Sequence, residues 1–276
     1  MAFNYFRLVA LALLGALYFY GFSGSDSQKS VRTPVPITTP QNLKNLCDRA
    51  TPNVVAFGFT EGVTAAGATL AQALKSTNGS PTAIFFYIDQ SSYYQTDTGY
   101  SAQLVENGHI VGLRWNTDWP TTQKMSKGAF QQAIVDAGTR INNQINQYIS
   151  PALVASYFPK YISFNYADNS LTGALQTYAG YAAELGLYTV YTDLMPESNN
   201  ENYAAVKANY AAKFLQDQGT LGSFAIAFHP GNVAGALNAG NIADLIATVI
   251  TPAGKKVSDI SKCLGVAGSN YRTGRL

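Results

Sequence analysis

Val54-Val55-Ala56-Phe57-Gly58-Phe59-Thr60-Glu61-Gly62 opens as an unbroken apolar run and closes on a hydroxyl, a carboxylate and a glycine. A short apolar run of this kind reads as a buried strand. Six further runs have the same character: Thr82 to Ile88, Ile110 to Leu113, Tyr161 to Asn165, Tyr188 to Tyr191, Phe224 to Phe228 and Lys256 to Ile260. Between them lie stretches with apolar residues three or four apart, such as Phe130, Ile134, Ala137, Ile141, Ile145 and Ile149, or Tyr203, Val206, Tyr210 and Phe214, the spacing of amphipathic helices. Seven such alternations imply parallel strands joined by crossover helices, and a β/α barrel is the economical solution. No internal repeat of fixed period is present. In such a barrel the functional face lies at the C-terminal strand ends. Those ends present Thr60 and Glu61, Asp89, Arg114 and Asp118, Tyr166 and Asp168, Asp193, and His229.

The 276 residues are 47% hydrophobic and 12% aromatic, enough for one substantial core in one domain behind a short leader. With a formal net charge of +2 and sparse, unclustered Lys and Arg, the chain carries no nucleic-acid footprint. Met1 to Arg7 followed by the apolar run Leu8 to Phe22 has the layout of a secretory leader, so residues 1–22 read as a signal peptide for export. No Ala-x-Ala site follows, which leaves an uncleaved single-pass membrane anchor as the alternative. Residues 23–43, rich in Ser, Thr and Pro, read as a flexible linker, 44–265 as the domain and 266–276 as a tail. One glycosylation sequon, Asn78-Gly79-Ser80, falls between a helical stretch and a strand. Oligomeric state is not legible.

Several blocks resemble, in order, the motifs of the polysaccharide deacetylases (the NodB-homology fold, carbohydrate esterase family 4), with fungal chitin deacetylases the nearest in character. The opening stretch resembles an apolar strand followed by Thr-Phe-Asp-Asp-Gly, with Thr60 and Glu61 at the paired aspartates. Asn107 to Asp118 resembles Glu-Gly-His-Glu-Ile-Gly-Asn-His-Thr-x-x-His. Gly108, His109 and Gly112 match, while Arg114 and Asp118 stand at the two metal-binding histidines. Ile162 to Ala167 falls at Phe-Arg-Pro-Pro-Tyr-Gly, where Tyr166 matches and Ser163 replaces the Arg. Ser223 to His229 is similar to a buried strand ending in Leu-x-His, and Lys256 to Gly265 to the C-terminal strand. The resemblance implies an incomplete (β/α)7 barrel and, for its active members, metal-dependent removal of N-acetyl groups from chitin-like glycans. It also implies a disulfide between Cys47 and Cys263, which an oxidising compartment would favour, against the alternative of two unpaired buried thiols.

That chemistry needs a dication to polarise the carbonyl and activate water, a base, and an acid for the leaving amine. The chain has only two histidines, and His109 matches a structural position at the start of a strand, far from the rim. No cofactor is therefore expected. Arg114, permanently charged, opposes a dication and is expected to replace it by pairing with Glu61 and Asp118; the alternative is an Arg114 that points to solvent beside a vacant site. Thr60 stands at the lost base position and accepts no proton near neutral pH. His229 is left as an acid or as a packed core histidine, and Asp193 falls at a weakly matched fourth motif. Tyr166, Trp115 and Trp119 are candidates for stacking on sugar rings, as are Tyr87, Tyr93, Tyr94 and Tyr100; the alternative is that several are core or loop anchors. Three functions follow: a secreted or wall-associated binder of chitin or another N-acetylglucosamine glycan without its metal, a working deacetylase holding zinc or another divalent metal through Glu61 and Asp118, or a scaffold that keeps only the barrel.

Overall fold

The computed structural model describes residues 43–44, 53–60, 62–76, 82–88, 95–153, 155–164, 172–190, 202–216, 224–228, 238–266 and 268–272. The chain divides into Met1–Val31 and Arg32–Leu276, and every described residue belongs to the second unit. The leader, the sequon and most of the linker lie outside the described residues. Among those that are described, no helix is long and apolar enough to cross a membrane.

All seven expected strands form. They are β2 (Val54–Phe59), β3 (Ile84–Ile88), β4 (Ile110–Trp115), β6 (Tyr161–Phe164), β7 (Tyr188–Val190), β8 (Phe224–Phe228) and β9 (Lys256–Val257). A short β1 (Leu43–Lys44) joins them, so the first paired residue lies where the sequence reads as linker. The order β1-β7-β6-β4-β3-β2-β8, with β9 alongside β2, is parallel throughout. Among the described residues β1 and β8 do not pair with each other, so the sheet curls into an incomplete (β/α)7 barrel.

Three strand boundaries moved among the described residues: β3 begins at Ile84 rather than Thr82, and the other two moved for identifiable reasons. β4 extends two residues beyond Leu113, because Arg114 and Trp115 find ladder partners in Ser163 and Phe164. The run expected to continue to Ile260 stops at Val257. There the Asp259 carboxylate turns to accept the Thr82 amide at 2.7 Å, and Ile260–Cys263 follows as a helical turn.

The helices form where the apolar spacing places them. The first, α1 (Ala65–Lys75), is capped by the Thr64 hydroxyl, which accepts the Gly67 amide at 3.1 Å. Gly67 has to be glycine because a Cβ there would lie 1.7 Å from the Gly62 carbonyl oxygen, so the turn leaving β2 is pressed against the helix start. After α2 (Tyr100–Glu106) and α3 (Trp119–Thr122) comes α4 (Lys127–Tyr148), capped by Ser126, which buries Phe130, Ile134, Ala137, Ile141 and Ile145. Truncating any of its larger core residues to Ala is expected to cost about 2–5 kcal/mol. Next are α5 (Thr172–Glu184) and α6 (Tyr203–Gln216), the latter burying Val206, Tyr210 and Phe214.

Strand alternation divides the sheet into two faces. The outer face, with Val55, Phe57, Phe59, Phe85, Val111, Leu113 and Ile162, packs under the helices in one large core. The inner face carries Val54, Ala56, Ile84, Phe86, Ile110, Tyr161 and Val190, closed by Ile260, Cys263, Leu264 and Val266. Gly112 belongs to this inner set. A Cβ there would come within 2.8 Å of the Phe86 ring, so the ring occupies the space the glycine vacates. The interior is thus packed with side chains, as barrel cores are.

Candidate functional site at the strand ends

Period two carries the inner face on to Thr60 (after Val54, Ala56 and Gly58), to Arg114 (after Ile110 and Gly112) and to Ser163 (after Tyr161). All three are buried, with Arg114 only 6% exposed, and all stand at the C-terminal ends of their strands. In the ladder Arg114 lies between Ile88 and Ser163. Its side chain reaches over β3 to the end of β2, where Nη1 donates to the Thr60 carbonyl oxygen at 3.1 Å. A guanidinium stays protonated at any accessible pH, and burying it requires hydrogen-bond acceptors of this kind. The expected solvent-pointing alternative for Arg114 is therefore not what the side chain does.

Asp118 is placed differently. Its carboxylate is exposed and caps α3, accepting the Thr121 amide at 2.8 Å and the Thr121 hydroxyl at 2.9 Å. These two bonds hold its carboxyl below the usual carboxylate value, and the cation that acts on it is Lys124 rather than Arg114. The expected Arg114–Asp118 pair is thus not how either side chain is used. Helix capping is a strong local claim on an Asp that immediately precedes Trp-Pro.

The two tryptophans are core residues. Trp115, on the outer face, donates from Nε1 to the Thr122 hydroxyl at 3.0 Å and sets its edge against Phe130 at 4.9 Å. Trp119 stacks on Phe164 at 6.0 Å and meets Tyr178 at 6.2 Å. At 3% and 6% exposure neither offers a face to a sugar, so the core-anchor alternative describes both. Tyr87 is likewise fully buried.

His109 sits at the opposite end of β4, as its position in the second motif implied. Its Nδ1 accepts the Ala83 amide at 3.2 Å, which leaves the proton on Nε2 to be donated to the Ala71 carbonyl at 2.8 Å. Burial lowers its pKa and keeps it neutral. Glu61, Tyr93, Tyr94, Tyr166, Asp168, Asp193, His229 and Cys47 lie outside the described residues. Cys263 is completely buried and is not a free thiol. Among the described residues no three His, Cys, Asp or Glu side chains gather as a metal-binding group. Arg114 is a fixed cation that donates to the Thr60 carbonyl, and the hydroxyls of Thr60 and Ser163 supply no base at neutral pH.

Among solved structures, the chitin deacetylase from the fungal pathogen Colletotrichum lindemuthianum matches 86% of this chain and 96% of its own, with a TM-score of 0.61 at 18% identity. The catalytic domain of peptidoglycan N-acetylglucosamine deacetylase from Eubacterium rectale matches 90% of this chain and 100% of its own, with a TM-score of 0.56 at 14% identity. The chain has the polysaccharide deacetylase fold. Bacillus subtilis PdaA, a family 4 carbohydrate esterase, agrees, with a TM-score of 0.56 at 14% identity over 86% of this chain and 94% of its own. No family model and no curated protein matches the sequence. Within this polysaccharide deacetylase fold, the inner-face residues Thr60, Arg114 and Ser163 mark the mouth of the barrel. Sequence reasoning missed the Gly268–Arg272 segment, whose two-residue pairing leaves no periodic signal.

Proposed function

We propose that this protein is a secreted or wall-associated, catalytically inactive member of the deacetylase fold that binds chitin or another N-acetylglucosamine-containing glycan without a metal. The observation that carries this reading is the buried Arg114 guanidinium, hydrogen-bonded to Thr60 at the barrel mouth, where the resemblance puts a metal-binding histidine. The described donor set does not fit a dication. A permanent cation stands at one ligand position, and the carboxylate at the next caps a helix. Thr60, at the position of the base, has only a hydroxyl to offer.

Export rests on the leader-like residues 1–22, with retention as a membrane anchor the other form of the same proposal. A Cys47–Cys263 disulfide fits that route, and the absence of a free thiol at Cys263 supports it. Closing so long a loop removes unfolded-state freedom worth up to about 5 kcal/mol. Thiol alkylation of the unreduced protein under denaturing conditions is expected to leave both cysteines unlabelled.

The deciding experiment measures metal content of the native protein beside acetate release from chitooligosaccharides and glycan binding with and without chelator. Low metal, no acetate and chelator-insensitive binding are expected. Close to one divalent ion per chain, with acetate release that chelator abolishes and added metal restores, would instead establish a working deacetylase. Binding to no glycan would leave the barrel as a scaffold.

A further inference from the structure

On the far side of the sheet from the mouth, β10 (Tyr271–Arg272) lies antiparallel to β5 (Phe158–Pro159), with Tyr271 opposite Pro159 and Arg272 opposite Phe158. Lys160 Nζ donates to the Ser269 carbonyl at 2.8 Å, and the Arg272 guanidinium donates to the Leu185 carbonyl. Tyr271 sets its ring edge-on to Tyr157 at 5.2 Å.

The Tyr271 hydroxyl has a particular place in this arrangement. The Ile110 amide bonds back to Ala83 on the β3 side, so by strand alternation the Val111 amide points toward β6. The register that pairs Leu113 with Ile162 puts Lys160 opposite Val111, one residue before β6 begins. The ladder has no strand partner to give Val111 at that level. Tyr271 fills the gap, accepting the Val111 amide at 2.8 Å and donating to the His109 carbonyl at 3.3 Å. Burial raises its pKa far above the usual phenol value, so the hydroxyl keeps the proton that the second bond needs.

We propose that Ser269–Arg272 is a latch on the floor of the barrel, which completes the β4–β6 ladder by side-chain substitution and releases as a unit while the sheet stays folded. Its attachments are a two-residue ladder, side-chain hydrogen bonds and one ring, Tyr271, that packs against the edge of the outer core, while the inner core packs without it. Segments held this way open at a lower free energy than the whole domain.

Amide hydrogen exchange resolved at single residues tests this on the full chain, with Tyr271→Phe keeping the ring and removing only the hydroxyl. Exchange at Val111 is expected to speed up about tenfold or more, the scale of one lost bond to a buried donor, while Leu113 is unchanged and the circular dichroism spectrum is retained. An unchanged Val111 rate would overturn the proposal, and so would a uniform rise across β4. A chain stopped after Gly268 provides the second arm. It is expected to melt cooperatively, with faster exchange confined to Tyr157–Lys160 and His109–Val111. Failure of that chain to fold would show the segment to be integral to the domain and would also end the latch.

Discussion

Strand β4 carries a basic side chain near each end, and the two ends are built on opposite principles. At the floor, His109 is neutral and both ring nitrogens are bonded to backbone groups of neighbouring elements. At the mouth, roughly 16 Å along the strand, Arg114 is a buried permanent charge. The floor is further tied by Asp259 to Thr82 and by Tyr271 to Val111, bonds that reach across more than 150 residues of chain. The mouth is lined by small or polar residues, Thr60 and Ser163, whose neighbours are strand ends. Among the described residues the long-range ties therefore gather at the floor, while the mouth holds a buried cation bonded to the Thr60 carbonyl.

Substitutions can break or sharpen that contrast. The largest effect is expected at Trp119, beside the mouth in sequence but packed on Phe164 in the outer core. Trp119→Ala is expected to cost about 3–5 kcal/mol in denaturant melts; a variant as stable as wild type that has lost glycan binding would return Trp119 to the site. Next comes His109→Leu, which strips partners from the Ala83 amide and the Ala71 carbonyl and is expected to cost about 2–3 kcal/mol. A loss under half a kcal/mol would show that the floor is not where stability resides. At the mouth, Ser163→Ala is expected to shift stability by no more than about 0.5 kcal/mol, and a loss matching that of His109→Leu would erase the contrast.

The smallest effect concerns a surface tie on the helical layer. Asp244 accepts Lys207 at 2.7 Å and the Tyr203 hydroxyl at 2.5 Å, and these bonds, led by Lys207, hold its carboxyl below the usual value. A depressed carboxylate stabilises the fold above its unfolded-state value, near about 4, and loses that contribution as pH falls through the folded-state value. Wild type is therefore expected to exceed Asp244→Asn slightly at pH 7 and to converge with it in acid. Denaturation midpoints that stay apart at low pH would contradict this.

Much of this architecture is legible in the residues. Each apolar run is a strand because buried parallel strands need no polar alternation, and connectivity alone places Thr60 and Arg114 on one rim. Three features escaped for physical reasons. Two-residue strands such as Leu43–Lys44 and Tyr271–Arg272 are too short to carry a period. Asp259 breaks an apolar run through a contact with Thr82, far away in sequence. Trp115 and Trp119 stand beside a motif, and nothing local says that their rings turn to the helices. Asp118 teaches the converse: a position that the resemblance gives to a metal ligand is, in the fold, an ordinary helix cap.

The Phe86 ring seated against Gly112 stoppers the lumen from below. A polymer bound at this end, as the proposed function has it, would not thread such a tube but would lie across its opening and meet Arg114 only through a short substituent of its backbone. Recognition at this end would then depend on the pendant group of one residue, with the length of the polymer read elsewhere on the surface.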